Sequence, residues 1–134
     1  MYPFMEPSVG IVLVSHSAEL AAGVGELIGQ IGSEDVPVAM AGGTDDGSLG
    51  TSYRRVREAL TAADRGGGVV VLPDLGSSVL MTRTVLQDHP HLDAVIADAP
   101  FVEGAVAAMV AAAGGADLAT VLKSAEEARN AHKF

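Results

Sequence analysis

Four short apolar runs punctuate the chain: Val9–Val14, Val36–Ala41, Val69–Leu72 and Ala94–Ala97. They are continuous rather than alternating, and three of them are dominated by β-branched residues. A strand with one wet face alternates with a period of two. An unbroken run marks a strand covered on both faces, as in a parallel sheet between helix layers. The segments between the runs have helical spacing. Leu20, Val24, Leu27, Ile28 and Ile31 recur every three or four positions and predict one apolar stripe, with Gly32 stopping the helix. Tyr53, Val56 and Leu60 mark a second helix with Arg54, Arg55, Arg57 and Glu58 on its wet side, and Gly66-Gly67-Gly68 ends it. Val79–Leu86 predicts a third helix before a turn at Pro90, and Phe101–Ala113 a fourth. Asp117–Lys133 predicts a fifth, with Asp117 as N-cap and Leu118, Val121, Leu122 and Ala125 as its apolar face.

Strand and helix therefore alternate four times. That predicts an α/β fold, a three-layer sandwich around a mainly parallel sheet. With 134 residues, no internal repeat and no dividing linker, the chain reads as one domain over residues 9–134 behind a loose N-terminal extension, 1–8. Aromatics are only 4%, so the core must be aliphatic. A net charge of −9 with eight Lys and Arg leaves no basic face for nucleic acid. The absence of cysteine removes disulfides, thiolate nucleophiles and Cys-based metal sites. The first residues, MYPFMEPS, lack the pattern of a signal peptide, and the longest low-polarity run, Ala105–Ala116, is too short to cross a bilayer. A cytoplasmic protein without a membrane partner is expected.

Open parallel sheets bind ligands beyond the carboxyl ends of their strands. Four clusters fall there: Ser15-His16-Ser17, Ala41–Gly47, Pro73–Ser78 and Asp98–Phe101. His16 follows the first strand directly. Imidazole is nucleophilic at neutral pH, and its phosphoramidate passes a phosphoryl group on readily. Amides of Ser17 and Ala18 at a helix start would offer donors to the phosphoryl oxygens, as would the Ser15 and Ser17 hydroxyls. The plainer alternative is a histidine that caps or packs. The stretch Gly42–Ser52 invites a P-loop reading, but Ser48-Leu49 stand where Lys and Ser or Thr are required. Its backbone could instead wrap a single phosphoryl group, or be only a flexible turn. Asp74 could orient His16, be phosphorylated as in a receiver domain, or cap a helix. The receiver reading lacks the acidic pair after the first strand and a suitably placed lysine. His89 and His91 flank Pro90 without an evident third metal ligand. No Arg or Lys lies in the four loops, so the expected cradle is neutral: Ser17, the turn Gly42-Gly43-Thr44, and the helix start at Ser77-Ser78.

The run Val9–Val24 resembles the start of the mannose-family enzyme IIA domains of the sugar phosphotransferase system. Ala41–Ser52, Asp74-Leu75-Gly76-Ser77-Ser78 and Ala99–Ala105 narrow the resemblance to the phosphotransfer subunit of phosphoenolpyruvate-dependent dihydroxyacetone kinase. It covers about residues 9–113. The resemblance implies a homodimeric α/β domain with strand order 2-1-3-4, which seats Asp74 beside His16. It implies His16 as the phosphorylated residue, and no nucleotide, metal or other cofactor at this subunit. The donor would be the histidine-containing phosphocarrier protein, arriving in trans because the chain has no room for a fused donor domain. The acceptor would be ADP on the nucleotide-binding subunit of the kinase. Two alternatives stay open: a sugar-transport enzyme IIA of the mannose family, and a non-catalytic α/β regulatory module with a structural His16.

Overall fold

In the computed structural model, which describes residues 7–134, each of the four apolar runs forms a strand. The elements are β1 (Gly10–Ser15), α1 (Ala18–Ile31), β2 (Val38–Gly42), α2 (Tyr53–Ala63), β3 (Val69–Pro73), α3 (Gly76–Asp88), β4 (Ala94–Ile96), α4 (Phe101–Ala113) and α5 (Leu118–Glu127). All strand pairs are parallel, in the order β2-β1-β3-β4. The central strands β1 and β3 are buried along their whole length, while the edge strand β4 is half-buried. Successive side chains of a strand point to opposite faces. Ile11, Leu13, Val70 and Leu72 accordingly pack under α1, α4 and α5, and Val12, Val14, Val69 and Val71 under α2 and α3. Each such side chain, fully buried, stabilises the fold by roughly 1.5–3 kcal/mol relative to exposure.

Several boundaries and faces differ from the sequence expectation. Helix α1 seats on the sheet through Ala21, Val24 and Ile28, whereas Leu20, Leu27 and Ile31 stay 42–47% exposed. The small Ala21 lets the helix approach closely and rotates those larger residues to the rim. Helix α3 begins at Gly76 rather than Val79. Its first turn, Gly-Ser-Ser, carries no apolar side chain, so hydrophobic spacing could not register it. Helix α5 stops at Glu127, and Ala128–Asn130 form a 3-10 turn, so the fifth helix does not run to Lys133. Pro7 and Ser8, the end of the expected extension, lie against Gly66 and Gly67, where a Cβ on Gly67 would come within 2.6 Å of the Ser8 carbonyl oxygen. The rest of the expected extension, residues 1–6, lies outside the described residues.

Candidate functional site

Strand β1 ends at Ser15 and α1 begins at Ala18, so His16 and Ser17 form the turn between them. Ser17 caps α1, its Oγ accepting from the Leu20 amide at 3.1 Å. The register that sets Val14 opposite Pro73 carries the chain out of β3 beside this turn, and the Asp74 amide donates to the Val14 carbonyl at 3.0 Å. The Asp74 carboxylate is thereby aimed at residues 15–16. Its Oδ2 accepts from the Ser15 hydroxyl at 2.9 Å and the His16 amide at 3.1 Å. Its Oδ1 accepts from the Leu75 amide and the Ser78 hydroxyl, each at 2.7 Å, and lies 3.1 Å from His16 Nδ1.

Burial of Asp74 on its own would raise the carboxyl pKa. Hydrogen bonds from the Ser78 hydroxyl, the His16 amide, the Ser15 hydroxyl and the His16 ring outweigh that cost and hold it at about 2. An ionised carboxylate at hydrogen-bond distance from Nδ1 requires the ring proton there. The lone pair is then on Nε2, which meets the Ser77 hydroxyl at the start of α3. The His16 side chain is a quarter exposed and that of Asp74 is 9% exposed, so the imidazole is reachable while its anchor is sheltered.

The first turn of α3 has no side-chain cap at Leu75, and the amides of Ser78 and Val79 both turn to the Leu75 carbonyl. The Gly76 and Ser77 amides open the helix, at its positive end, without an intrahelical acceptor. A Cβ on Gly76 would meet nothing within 4 Å, so the space over that turn is open.

The structure brings His16, Asp74, Ser77 and Ser78 into one cluster, but it redistributes the donors expected from the sequence. The Ser78 hydroxyl gives its proton to Asp74 and is buried; it holds the carboxylate rather than facing a ligand. The Ser17 amide donates to Ser15 Oγ at 3.0 Å. The Gly43 amide donates to the Ser15 carbonyl at 3.1 Å and that of Thr44 to the Ser48 carbonyl at 2.9 Å, so neither is free for a phosphoryl oxygen. Gly42 lies in the β1–β2 ladder opposite Ser15. A Cβ there would come within 2.7 Å of Ala18 Cα, and Gly43 has φ +72°. These glycines serve the close approach of the chain to itself. The loop also braces the turn: the Gly50 amide donates to the His16 carbonyl at 2.9 Å. From α2, Arg55 donates to the carbonyls of Gly42 at 3.3 Å and Asp45 at 3.4 Å.

Sequence reasoning left two contributors without these roles. Ser15, read as a possible donor to a ligand, anchors Asp74; its signal was a polar side chain ending an otherwise apolar strand. Arg55, read as a wet-side residue, carried no signal. His89 and His91 pack edge-on at 5.8 Å in the turn before β4, with the Tyr53 hydroxyl 3.2 Å from His89 Nε2, outside the cluster. Among the described residues, no group of three or more His, Asp or Glu is placed to hold a metal ion, and no helix is long and apolar enough to cross a membrane.

An ionised carboxylate that fixes a histidine tautomer, at the strand ends of a parallel sheet, suits a phosphoryl-carrying domain. The family model of the PTS system fructose IIA component, EIIA-man, matches residues 10–122, and the chain belongs to that family. Within it, the chain belongs with the phosphoryl donor subunits of phosphoenolpyruvate-dependent dihydroxyacetone kinases. It is 39% identical to that subunit, DhaM, of Escherichia coli K12 over 93% of this chain. It spans only 28% of that longer relative. It is 37% identical to the kinase 1 DhaM of Listeria innocua, covering 77% of this chain and 81% of the relative. A crystal structure of a protein of unknown function matches at TM-score 0.80 and 34% identity, over 95% of this chain and 97% of that one.

Proposed function

We propose that this chain is a phosphohistidine carrier, with Nε2 of His16 as the phosphorylated atom, serving a dihydroxyacetone kinase. The observation that carries the reading is the fixed imidazole: Nδ1 is held 3.1 Å from the Asp74 carboxylate while Nε2 faces the open first turn of α3. In the loading step the Nε2 lone pair attacks the phosphorus of the donor's phosphohistidine. The phosphorus–nitrogen bond of the donor breaks and its imidazole departs with the bonding pair. The His16 ring becomes cationic; its Nδ1 keeps its proton and donates it to the ionised Asp74 carboxylate, which balances that charge. In the discharge step an acceptor oxygen attacks the same phosphorus, the bond to Nε2 breaks, and His16 returns neutral. The Ser77 hydroxyl and the Gly76 and Ser77 amides are neutral donors for the phosphoryl oxygens, with Ser17 at the rim. Neutral donors bind the group without trapping it, which suits a carrier.

The histidine-containing phosphocarrier protein as donor and ADP on the kinase's nucleotide subunit as acceptor belong to the same proposal, supported by the DhaM relatives. So do a cytoplasmic setting and a homodimer. Exposed Leu20, Leu27 and Ile31 on α1, with Val102 and Val110 on the neighbouring α4, supply apolar surface for a second copy. The test is labelling from phosphoenolpyruvate through the general phosphotransfer proteins. The label is expected to be acid-labile, to sit on Nε2 by NMR, and to vanish in His16→Ala alone among the four histidine variants. Label retained by His16→Ala would sink the reading.

A further inference from the structure

Beside the His16 site lies a cleft of about 510 Å³ between the β3–α3 turn and the end of β4. Asp74 and Gly76 belong to both. From there the wall follows one face of α3 through Val79 to Arg83 and is completed by Asp98 beyond β4. The spacing 76, 79, 83 is that of a single helical face. Among the described residues Arg83 makes no ion pair and no side-chain hydrogen bond. Arg54 and Arg55 pair with Asp45, and Arg129 with Asp98 at 3.5 Å, while Arg57 and Arg65, like Arg83 without an ion pair among the described residues, do not line the cleft. Asp98 across the cleft is thus already paired from elsewhere, and Arg83 is the cation among the cleft's lining residues.

Resting on the phosphohistidine reading, we infer that the cleft is an anion subsite for the non-transferred phosphates of a nucleoside diphosphate acceptor, with Arg83 as their counter-charge. The transferred phosphoryl group is the same in both half-reactions and sits at Nε2, over the first turn of α3. Loading from a phosphohistidine donor brings no other phosphate. Discharge to a nucleoside diphosphate brings two more, and the attacking oxygen belongs to one of them. Those anions must approach a chain of net charge −9 beside the Asp74 carboxylate. The strand-end loops hold no Lys or Arg to offset the repulsion. Arg83 stands six residues after Ser77, roughly 9 Å along the helix axis. Side chains on helices lean back toward the N-terminus, which carries the guanidinium toward Nε2 and shortens that span. Two or more phosphate units bridge such a distance; a single transferred phosphoryl group does not.

The two half-reactions are therefore separable at Arg83. The full chain is loaded with labelled phosphate from phosphoenolpyruvate, freed of donor, and mixed rapidly with the kinase nucleotide subunit carrying ADP. Arg83→Ala and Arg83→Lys are compared with the unmodified chain, with thermal melting as the control for folding. Arg83 is exposed and unpaired, so both variants are expected to melt normally. Loading is expected to be unchanged. Discharge is expected to slow by about tenfold in Arg83→Ala, the loss of one charge-assisted contact, and to recover largely in Arg83→Lys. Unchanged discharge in Arg83→Ala overturns the inference. Equal slowing of loading and discharge also overturns it, since that marks Arg83 as a general protein-docking residue. Label on the His16→Ala chain is a different failure, that of the phosphohistidine reading itself.

Discussion

Replacing Asp74 by Asn changes one atom's chemistry at the centre of the cluster and leaves its shape intact. The carboxylate accepts from the Ser15 hydroxyl and His16 amide on one oxygen, and from the Leu75 amide, the Ser78 hydroxyl and His16 Nδ1 on the other. An asparagine keeps most of these bonds with its oxygen in the Oδ1 position. Its amide nitrogen then faces the Ser15 hydroxyl, which can rotate to accept, and the His16 amide, which cannot. One sheltered donor opposed to another donor costs about 1–3 kcal/mol of stability. The larger consequence is electronic. The Nδ1 contact ceases to be charge-assisted, and no anion remains to balance the imidazolium formed when Nε2 takes the phosphoryl group. A charge-assisted hydrogen bond exceeds a neutral one by about 1.4 kcal/mol, which is about tenfold in rate. Loading in Asp74→Asn is therefore expected to slow by about tenfold or more in a chain that still folds. Single-turnover labelling beside a denaturant titration reads both quantities. Loading within about twofold of the unmodified chain, in a folded variant, would refute the claim that the carboxylate tunes Nε2.

Acid stability follows from the same carboxylate. Its pKa of about 2 lies below the ordinary 3.8, so its contribution, about 2 kcal/mol, is complete above the ordinary value and is lost as pH falls from about 4 to about 2. The Tm is expected to drop over that window, and more shallowly in Asp74→Asn; parallel acid limbs would exclude the linkage. Asp46, lowered to about 2 chiefly by the Thr44 hydroxyl, adds a slope of the same sign that survives in the variant. Gly43→Ala forces an L side chain into φ +72° and a Cβ to 2.9 Å from the Ser48 carbonyl oxygen. It is expected to lower stability by about 1–2 kcal/mol, read as a shifted denaturant midpoint at constant slope. An unmoved midpoint would mean the loop relaxes freely.

Much of this protein was decided by sequence alone. Unbroken apolar runs predicted parallel strands, and burial on both faces holds for the central β1 and β3, whereas the edge strands β2 and β4, with the same pattern, are only partly buried. The helical spacing between the runs, together with Ser and His straight after the first strand, singled out the candidate turn before any contact was known. The strand order followed from resemblance rather than from periodicity, and with it came the pairing of His16 with Asp74, 58 residues apart. Hydrogen-bond commitment was illegible. Gly43 and Thr44 look like free donors in a one-dimensional chain, but only the folded loop reveals that their amides serve Ser15 and Ser48. Ser77 and Ser78 are identical neighbours in sequence. A helix advances about 100° per residue, and that rotation turns Ser78 inward to Asp74 and Ser77 out to Nε2. Composition and pattern determine which elements form. Which nitrogen carries the proton, and which donors remain for a ligand, depends on angles and distances between elements far apart in the chain, so only the tertiary structure decided them.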